Sequence, residues 1–278
     1  MSVWISSDGD AGLHDRDSAR VSAFDHGMTV GDGVFETLEV VEGVPLALTR
    51  HLNRLARSCA VLGLEPPNEN DIREAINDVI ASEPEAARLG RLRVTCTGGV
   101  GPLASDRTPG AGTTIVAINP MQPWPATTSA VVVPWIRNER SAVVGAKTTS
   151  YAENVVALAW AHERGYSEGL FVNSIGSVCE GTGTNVFVVI DGRVLTPPLS
   201  SGCLAGITRE LLLEWNMAVE ADLTLEDLVT ADEVFVASST RDVHPVTQLG
   251  DRVWDSPGSV TREASAQFVR RIVLDIDP

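Results

Sequence analysis

Residues 179–190 read CEGTGTNVFVVI and join a polar, glycine-rich turn to an apolar run that predicts a buried strand. Glu180 opens the turn with Gly and Thr around it, a setting typical of a functional carboxylate rather than a solvated one. The Asp191-Gly192 pair that follows predicts a hairpin into a second strand at residues 194–196. The stretch therefore predicts antiparallel sheet structure beside a candidate site.

Apolar periodicity predicts further strands and helices on both sides of this stretch. The predicted strands cover residues 21–24, 33–41, 44–48, 91–97, 113–119, 130–136, 169–173, 185–190, 194–196 and 232–237. The predicted helices cover residues 50–62 (with Thr49 as cap and Gly63 as stop), 70–81, 151–164, 206–215 and 261–273. Strands and helices mix without a regular βαβ alternation, so the pattern predicts an α+β fold in two domains.

The best candidate for a boundary between the domains is the proline-rich segment NPMQPWPATT at residues 119–128. It contains three prolines and little periodicity, so we expect an interdomain linker there. The prediction is a smaller N-terminal α/β domain at residues 1–118 and a larger C-terminal domain at residues 129–278.

Composition and charge exclude several classes of protein. The 278 residues include 21 Lys and Arg against 37 Asp and Glu, and a net charge of −16 repels nucleic acid. No apolar run approaches the roughly 20 residues of a membrane span, and the N-terminus does not resemble a signal peptide. The four scattered cysteines contain no C-x-x-C pair, which argues against a metal site. The sequence therefore predicts a cytoplasmic protein without metal, nucleic acid or membrane partners.

Lys147 is the single lysine of the chain, beside 20 arginines. Arginine performs the ordinary roles of a surface cation, but it does not deprotonate near neutral pH and cannot act as an amine nucleophile. The composition leaves two explanations open: Lys147 carries out amine chemistry, or codon bias happened to leave one lysine.

A pyridoxal-phosphate site needs an amine, a carboxylate for the pyridine nitrogen and an anion cradle for the phosphate. Lys147 offers the amine and Glu180 the carboxylate. Residues 205–209 open a predicted helix that includes the Thr208 hydroxyl, and residues 238–240 form a Ser-Ser-Thr cluster after a strand. Each signal alone has an ordinary alternative, such as Glu180 as a turn carboxylate or Thr208 as a helix cap.

The order of these pieces resembles the class IV aminotransferase family, the fold-type IV pyridoxal-phosphate enzymes, over nearly the whole chain. The resemblance rests on GDGVFET (residues 31–37), HLNRL (51–55), AKT (146–148), EGTGTNVF (180–187), GITR (206–209) and SST (238–240) ahead of Pro245-Val246. It implies a two-domain fold like that of D-amino-acid aminotransferase, with pyridoxal 5′-phosphate in the interface and the larger domain as the cofactor-binding one. It also implies a homodimer.

The resemblance also implies roles for individual residues. Lys147 would be the catalytic residue that holds the cofactor as a Schiff base, and Glu180 would pair with the pyridine nitrogen. The remaining cofactor contacts would come from Arg54, Ile207, Thr208, Ser239 and Thr240. The substrate pocket would include Phe35, Thr37, Thr97 and Thr240. Tyr151 is open between a cofactor contact and packing at the domain interface.

The family implies a transaminase that moves an amino group from a D-amino acid, a branched-chain amino acid or an (R)-amine to a 2-oxo acid. The alternative is aminodeoxychorismate lyase, which releases pyruvate and 4-aminobenzoate, and a third is a non-catalytic binding protein. Thr97 and Glu39 stand where relatives carry substrate-binding arginines. Arg137 and Arg241 remain, each open between binding a substrate carboxylate and serving a structural ion pair. The glycine-rich loop at residues 98–112 lacks an apolar cluster, and we expect it near the pocket of a partner subunit.

Overall fold

The computed structural model describes residues 2–7 and 9–278 of the chain. These residues divide into two compact units, which are described separately. Within these residues, the first unit contains residues 2–7 and 9–122, Ala146–Ser150 and Ile276–Pro278, and the second contains Pro123–Gly145 and Tyr151–Asp275. The short segment that carries Lys147 therefore groups with the first unit. The domain boundaries predicted from the sequence stay a prediction.

The described residues of the first unit form a six-stranded antiparallel sheet with helices. Its strands are β1 (Ser2–Ser7), β2 (Asp10–Asp15), β3 (Gly33–Val41), β4 (Val44–Pro45), β5 (Leu89–Thr97) and β6 (Thr113–Pro120), paired in the order β2-β1-β6-β5-β3-β4. Its helices are α1 (His26–Thr29), α2 (Leu48–Leu62), α3 (Glu69–Ser82) and α4 (Pro84–Arg88). The structure confirms the strands predicted at residues 33–41, 91–97 and 113–119 and the helices predicted at 50–62 and 70–81.

Alternation along β3 gives the sheet two different faces. Val34, Leu38 and Val40 are fully buried and pack with α2 and α3 into the core of this unit. Phe35 and Thr37 occupy the intervening positions and belong to the opposite face. Phe35 and Thr37, both predicted to line a pocket, therefore lie on the face of this sheet away from the helices.

Three local predictions in the first unit are wrong. Residues 21–24 form a turn instead of a strand, because the chain reverses before Asp25, whose side chain caps α1. The strand predicted at residues 44–48 is limited to β4. Thr49 lies inside α2 rather than at its cap, and its N–H and hydroxyl bind the carboxylate of Asp277 from the far end of the chain.

The second unit is built on a nine-stranded mixed sheet in the described part of the chain. Its strands are β7 (Thr128–Arg137), β8 (Glu168–Asn173), β9 (Val178–Gly181), β10 (Asn185–Ile190), β11 (Arg193–Thr196), β12 (Val219–Glu220), β13 (Glu233–Ser238), β14 (Asp242–Leu249) and β15 (Arg252–Val253). They pair in the order β12-β11-β10-β13-β14-β7-β8-β9, with β15 on β14. Its helices are α5 (Ala152–Glu163), α6 (Ile207–Glu214), α7 (Leu225–Thr230) and α8 (Ser259–Leu274).

The predicted hairpin after residues 185–190 is confirmed. Asp191 and Gly192 both have positive φ (51° and 73°), as a two-residue hairpin turn of this kind requires, and they join β10 to β11. The other strands and the three helices predicted in this unit are also confirmed to within two residues of their ends. No helix within residues 2–7 and 9–278 is long and apolar enough to cross a membrane.

Candidate active site

Lys147 lies on a short segment that pairs with the start of β3 in the first unit. The Phe35 N–H donates to the Lys147 carbonyl (2.8 Å), and the Thr149 N–H donates to the Gly33 carbonyl (2.8 Å). The Lys147 N–H donates to the Ser58 hydroxyl on α2 (3.1 Å). Because β3 and α2 hold this backbone from two directions, the starting point of the lysine side chain is fixed.

The Phe35 ring contacts two cations of the first unit. Lys147 Nζ lies 4.5 Å from the ring centroid, and Arg93 Cζ lies 3.7 Å from it. The ring itself is buried, so packing fixes its place. A cation over an aromatic face gains about 0.5–2 kcal/mol. The structure thus brings together Lys147 and Phe35, both predicted site residues, and adds Arg93, which the sequence pattern did not indicate.

Two of the three predicted pocket threonines, Thr37 and Thr97, lie on the same face of the sheet as this ring. Thr37 pairs with Arg93 across β3 and β5, and Thr97 pairs with Gly33. Thr97 is buried, and its Oγ1 accepts a hydrogen bond from the Gly99 N–H (3.2 Å). The Thr97 hydroxyl therefore supports the turn after β5.

A buried ion cluster lies on the core side of β3. Glu36 accepts hydrogen bonds from Arg54 Nε (2.8 Å) and Arg54 Nη2 (2.6 Å), and its Oε2 lies 2.7 Å from His51 Nδ1. Burial raises the pKa of Glu36, but the charge of Arg54 and the hydrogen bonds from Arg54 and His51 outweigh burial and lower that pKa to about 2. Because an ionised carboxylate only accepts hydrogen bonds, His51 Nδ1 carries the proton.

Burial also lowers the pKa of His51, and the charges of Arg54 and Lys147 add to that effect. The His51 ring is therefore neutral near pH 7, and Arg54 supplies the charge that balances Glu36. The signal for this cluster in the sequence is Glu36 at a position where the β3 alternation requires an apolar residue. The predicted role of Arg54 in phosphate binding stays a prediction, since two of its nitrogens bind Glu36 here.

Glu180 lies in β9 of the second unit, opposite Phe171 of β8. Its carboxylate is held from two directions. Its Oε1 lies 3.2 Å from Arg137 Nε, and its Oε2 accepts the Leu204 N–H (2.9 Å). The Arg137 guanidinium also donates to Glu153 (2.6 Å) and lies 4.3 Å from the Phe171 ring centroid. The Glu180 side chain keeps 13% of its surface exposed. These contacts fix the direction of a carboxylate that a ligand can still reach.

The arginines considered for a substrate carboxylate are both bound to glutamates of the second unit. Arg137 binds Glu180 and Glu153 as described above. Arg241 Nη1 lies 3.4 Å from Oε2 of the fully buried Glu168, and its guanidinium lies 4.0 Å from the Trp124 ring centroid. Both arginines therefore serve ion pairs within the fold.

Tyr151 lies at the N-terminal cap position of α5. Its hydroxyl donates to the Thr182 carbonyl (3.1 Å), and Asn154 Nδ2 donates to the same oxygen (2.6 Å). Tyr151 therefore supports the glycine-rich turn that follows Glu180. Its predicted contact with the cofactor stays a prediction.

The remaining predicted residues lie at the start of α6 and after β13. Ile207 and Thr208 are the first two residues of α6 and are buried, and a helix start presents N–H groups that suit an anion. Ser239 and Thr240 lie in the tight turn between β13 and β14. Asp242 follows with a left-handed backbone (φ 51°), and burial raises the pKa of its carboxyl group to about 6. No motif in the sequence pointed to Asp242.

The sequence profile of the amino-transferase class IV family matches residues 33–249. The chain belongs to this family. A provisionally named branched-chain-amino-acid aminotransferase of Methanocaldococcus jannaschii is 33% identical, covering 91% of this chain and 92% of that protein. An aminodeoxychorismate lyase of Bacillus subtilis is 29% identical, covering 83% of this chain and 82% of the lyase. A solved fold IV transaminase from Curtobacterium pusillum is similar over 99% of both chains, with a TM-score of 0.86 and 28% identity.

The family resemblance and the α+β fold of fold-type IV predicted from the sequence are thus confirmed. Class IV aminotransferases use pyridoxal 5′-phosphate, which confirms the predicted cofactor. The residues described above fit that group chemically. Taken by itself, the first unit has an amine on a fixed backbone, and the second has an oriented carboxylate, a helix start and hydroxyl groups.

Proposed function

We propose that this class IV aminotransferase is a transaminase that moves an amino group from an amino acid or an (R)-amine to a 2-oxo acid. The observation that carries the proposal is the placement of Lys147, whose backbone is held by β3 and α2 and whose amine lies 4.5 Å from the Phe35 ring centroid. An amine is the group that bonds to the cofactor aldehyde, and the sequence has no other lysine. The amino donors in view are D-amino acids and branched-chain amino acids.

Pyridoxal phosphate supplies an aldehyde that bonds to amines and a ring that accepts electrons from the bond broken at the substrate carbon. In the proposal, Lys147 Nζ binds the aldehyde and then carries a proton to and from that carbon. Glu180 pairs with the ring nitrogen and favours its protonated form. The phosphate and the rest of the cofactor are assigned to Arg54, Tyr151, Ile207, Thr208, Ser239 and Thr240. The homodimer implied by the resemblance stays a prediction.

Aminodeoxychorismate lyase is the second candidate. A lyase is among the relatives, and the resemblance implies proton transfer by a threonine at the position of Thr37, which lies on the same sheet face as Phe35. Threonine at this position is common across the family, so it discriminates little between the two activities. A non-catalytic binding protein is disfavoured because Lys147 and Glu180 are both present in fixed positions.

One experiment separates these candidates. The holoprotein is incubated with D-alanine, D-glutamate, L-leucine or (R)-1-phenylethylamine without an acceptor, while the absorption of the bound cofactor is followed. A transaminase converts the cofactor to its pyridoxamine form and releases one carbonyl product per chain. A lyase leaves the cofactor unchanged with these donors and releases 4-aminobenzoate from aminodeoxychorismate. No reaction in either assay would contradict both candidates.

Replacing Glu180 with glutamine is expected to lower kcat by about 10²-fold, the cost of losing one preorganised electrostatic group. The amide keeps the size of the side chain but loses the charge that favours a protonated ring nitrogen. The matched control is Glu153→Gln, which removes the other carboxylate bound to Arg137 (2.6 Å). Single-turnover rates of the two variants, each compared with the rate of the wild type, measure the loss. Near-normal rates for Glu180→Gln, or equal losses for the two, would contradict the assignment.

Arg93 is the arginine that we propose for the carboxylate of an amino-acid donor. Lys147 Nζ and Arg93 Cζ share the Phe35 ring, so they are at most about 8 Å apart. An amino-acid carboxylate carbon lies about 2.5 Å from the amino nitrogen, and a paired guanidinium carbon lies about 4 Å beyond it. The sum, about 6.5 Å, lies below this upper limit on the Lys147 Nζ–Arg93 Cζ distance.

Replacing Arg93 with alanine is expected to raise KM for amino-acid donors about 10-fold to 100-fold, because a charge-assisted hydrogen bond is lost. KM for (R)-1-phenylethylamine, which lacks a carboxylate, should change little. Arg91→Ala is the control, since Arg91 lies two residues away on the same face of β5 and is exposed. Initial-rate kinetics measure KM for each donor. Equal changes in KM for the amino acids and for (R)-1-phenylethylamine would count against Arg93.

A further inference from the structure

The glycine-rich loop at residues 98–112 is seated on the segment before β3 in its own unit. The His26 N–H donates to the Gly99 carbonyl (2.8 Å), and the Gly101 N–H donates to the Phe24 carbonyl (3.1 Å). The loop lacks an apolar cluster, and these backbone hydrogen bonds hold it in position instead. Its location near the pocket of a partner subunit stays a prediction.

Two glycines of the loop permit this close seat. A Cβ on Gly98 would lie 2.5 Å from Asp32 Oδ2, and a Cβ on Gly101 would lie 2.5 Å from His26 Nε2. Both distances are well inside the roughly 3.5 Å at which nonbonded heavy atoms attract. The glycine content of the loop thus reflects a tight fit against Asp32 and His26.

Arg107 fastens the loop with all three nitrogens of its guanidinium. Nε and Nη2 donate to the two oxygens of Asp32, each at 2.6 Å, and Nη1 donates to the Gly63 carbonyl (3.1 Å). The Asp32 side chain is only 14% exposed. A two-bond pair of this kind is stronger and more directional than a single exposed ion pair. Arg107 therefore links the loop to Asp32 and to the C-terminal end of α2.

The turn that contains Asp32 holds the segment of the proposed cofactor lysine. Its two flanking glycines provide the acceptors. The Gly31 carbonyl accepts hydrogen bonds from Thr149 Oγ1 (3.0 Å) and Ser150 Oγ (2.9 Å), and the Gly33 carbonyl accepts the Thr149 N–H (2.8 Å). A displacement of this turn would therefore displace the lysine segment with it.

We propose that Arg107 is a positioning residue for Lys147. Its two hydrogen bonds to the Asp32 carboxylate fix Asp32 in the turn. Its hydrogen bond to the Gly63 carbonyl fixes the end of α2, the helix whose Ser58 accepts the Lys147 N–H. Arg107 thus ties together both supports of the lysine backbone. The inference rests on the proposed function, in which Lys147 binds the cofactor.

Replacing Arg107 with glutamine is expected to speed hydrogen–deuterium exchange at the Phe35 and Thr149 amides of the holoprotein about tenfold. We expect kcat to fall about tenfold with KM for the amino donor within about twofold, because orientation is lost and binding is not. Arg107→Lys keeps the charge but cannot form the two parallel hydrogen bonds to Asp32. It should change the exchange rates and kcat in the same direction by a smaller amount. Arg73→Gln, which removes an exposed ion pair with Glu69 (2.9 Å) on α3 of the same unit, is the control and should change neither quantity.

A double substitution tests whether Arg107 and Asp32 act as one unit. Asp32→Asn combined with Arg107→Gln should cost no more than either change alone. Additive losses would overturn the proposal, and so would unchanged exchange at Phe35 and Thr149 together with an altered donor preference. Exchange does not depend on turnover. If exchange quickens while no transaminase activity exists, the proposed function fails and the positioning of the segment stands.

Discussion

Alanine in place of Lys147 is expected to reduce turnover by at least about 10⁴-fold, because the group that bonds to the cofactor and moves the proton is gone. The fold should persist. Two backbone hydrogen bonds hold the segment, one donated by Lys147 to Ser58 and one accepted from Phe35, and alanine retains both. Circular dichroism and the midpoint of thermal unfolding verify that point, and steady-state rates with the best donor measure the loss.

Lys147→Arg is the matched control for charge. Arginine keeps a cation beside the Phe35 ring but does not deprotonate, so it cannot bond to the aldehyde. We expect the same loss as with alanine. A loss of about 10⁴-fold leaves about 0.01% of the wild-type activity. Residual activity above about 1% in either variant would therefore mean that another group performs the chemistry.

Replacing Glu36 with glutamine is expected to lower the free energy of unfolding by about 3–5 kcal/mol, because the buried Arg54 charge loses its partner. The effect depends on pH. The folded pKa of Glu36 is about 2, below its ordinary value of 4.5, so its contribution is complete above pH 4.5 and is lost as the pH falls toward 2. Urea unfolding of the wild type and the variant at pH 7 and at pH 3 measures the loss in the free energy of unfolding and its dependence on pH.

Glu39→Gln is the control for this prediction, because Glu39 lies on the same strand with part of its surface exposed. It should change the free energy of unfolding by no more than about 0.5 kcal/mol. The difference between the wild type and Glu36→Gln should shrink at pH 3. A difference that is the same at both pH values would show that packing, and not the charge of Glu36, stabilises the cluster.

Much of the fold follows from local pattern. Strands and helices with clear periodicity form where the sequence predicts them, and the Asp191-Gly192 hairpin follows from the backbone that this pair adopts. One wrong prediction has a distant cause. The sequence pattern predicts Thr49 as a helix cap, but Thr49 binds Asp277, which lies near the other end of the chain. A local pattern carries no information on such a contact.

The chemistry of the site divides in the same way. Composition draws attention to Lys147, since the chain has 20 arginines and one lysine, and the resemblance to the family implies its role. The partners of the arginines were not predictable, because an exposed and a buried arginine look alike in sequence. Only the fold shows that Arg137 and Arg241 bind glutamates, while Arg93 lies over the Phe35 ring.

The central claim is that Lys147 holds the cofactor, and borohydride reduction of the holoprotein tests it most directly. Reduction fixes the bond between the cofactor and its amine, and peptide mapping by mass spectrometry then locates the label. The account predicts one pyridoxyl group per chain, on the peptide that contains Lys147, and no label in Lys147→Ala. A label on another residue, or reduced protein without any label, would contradict it.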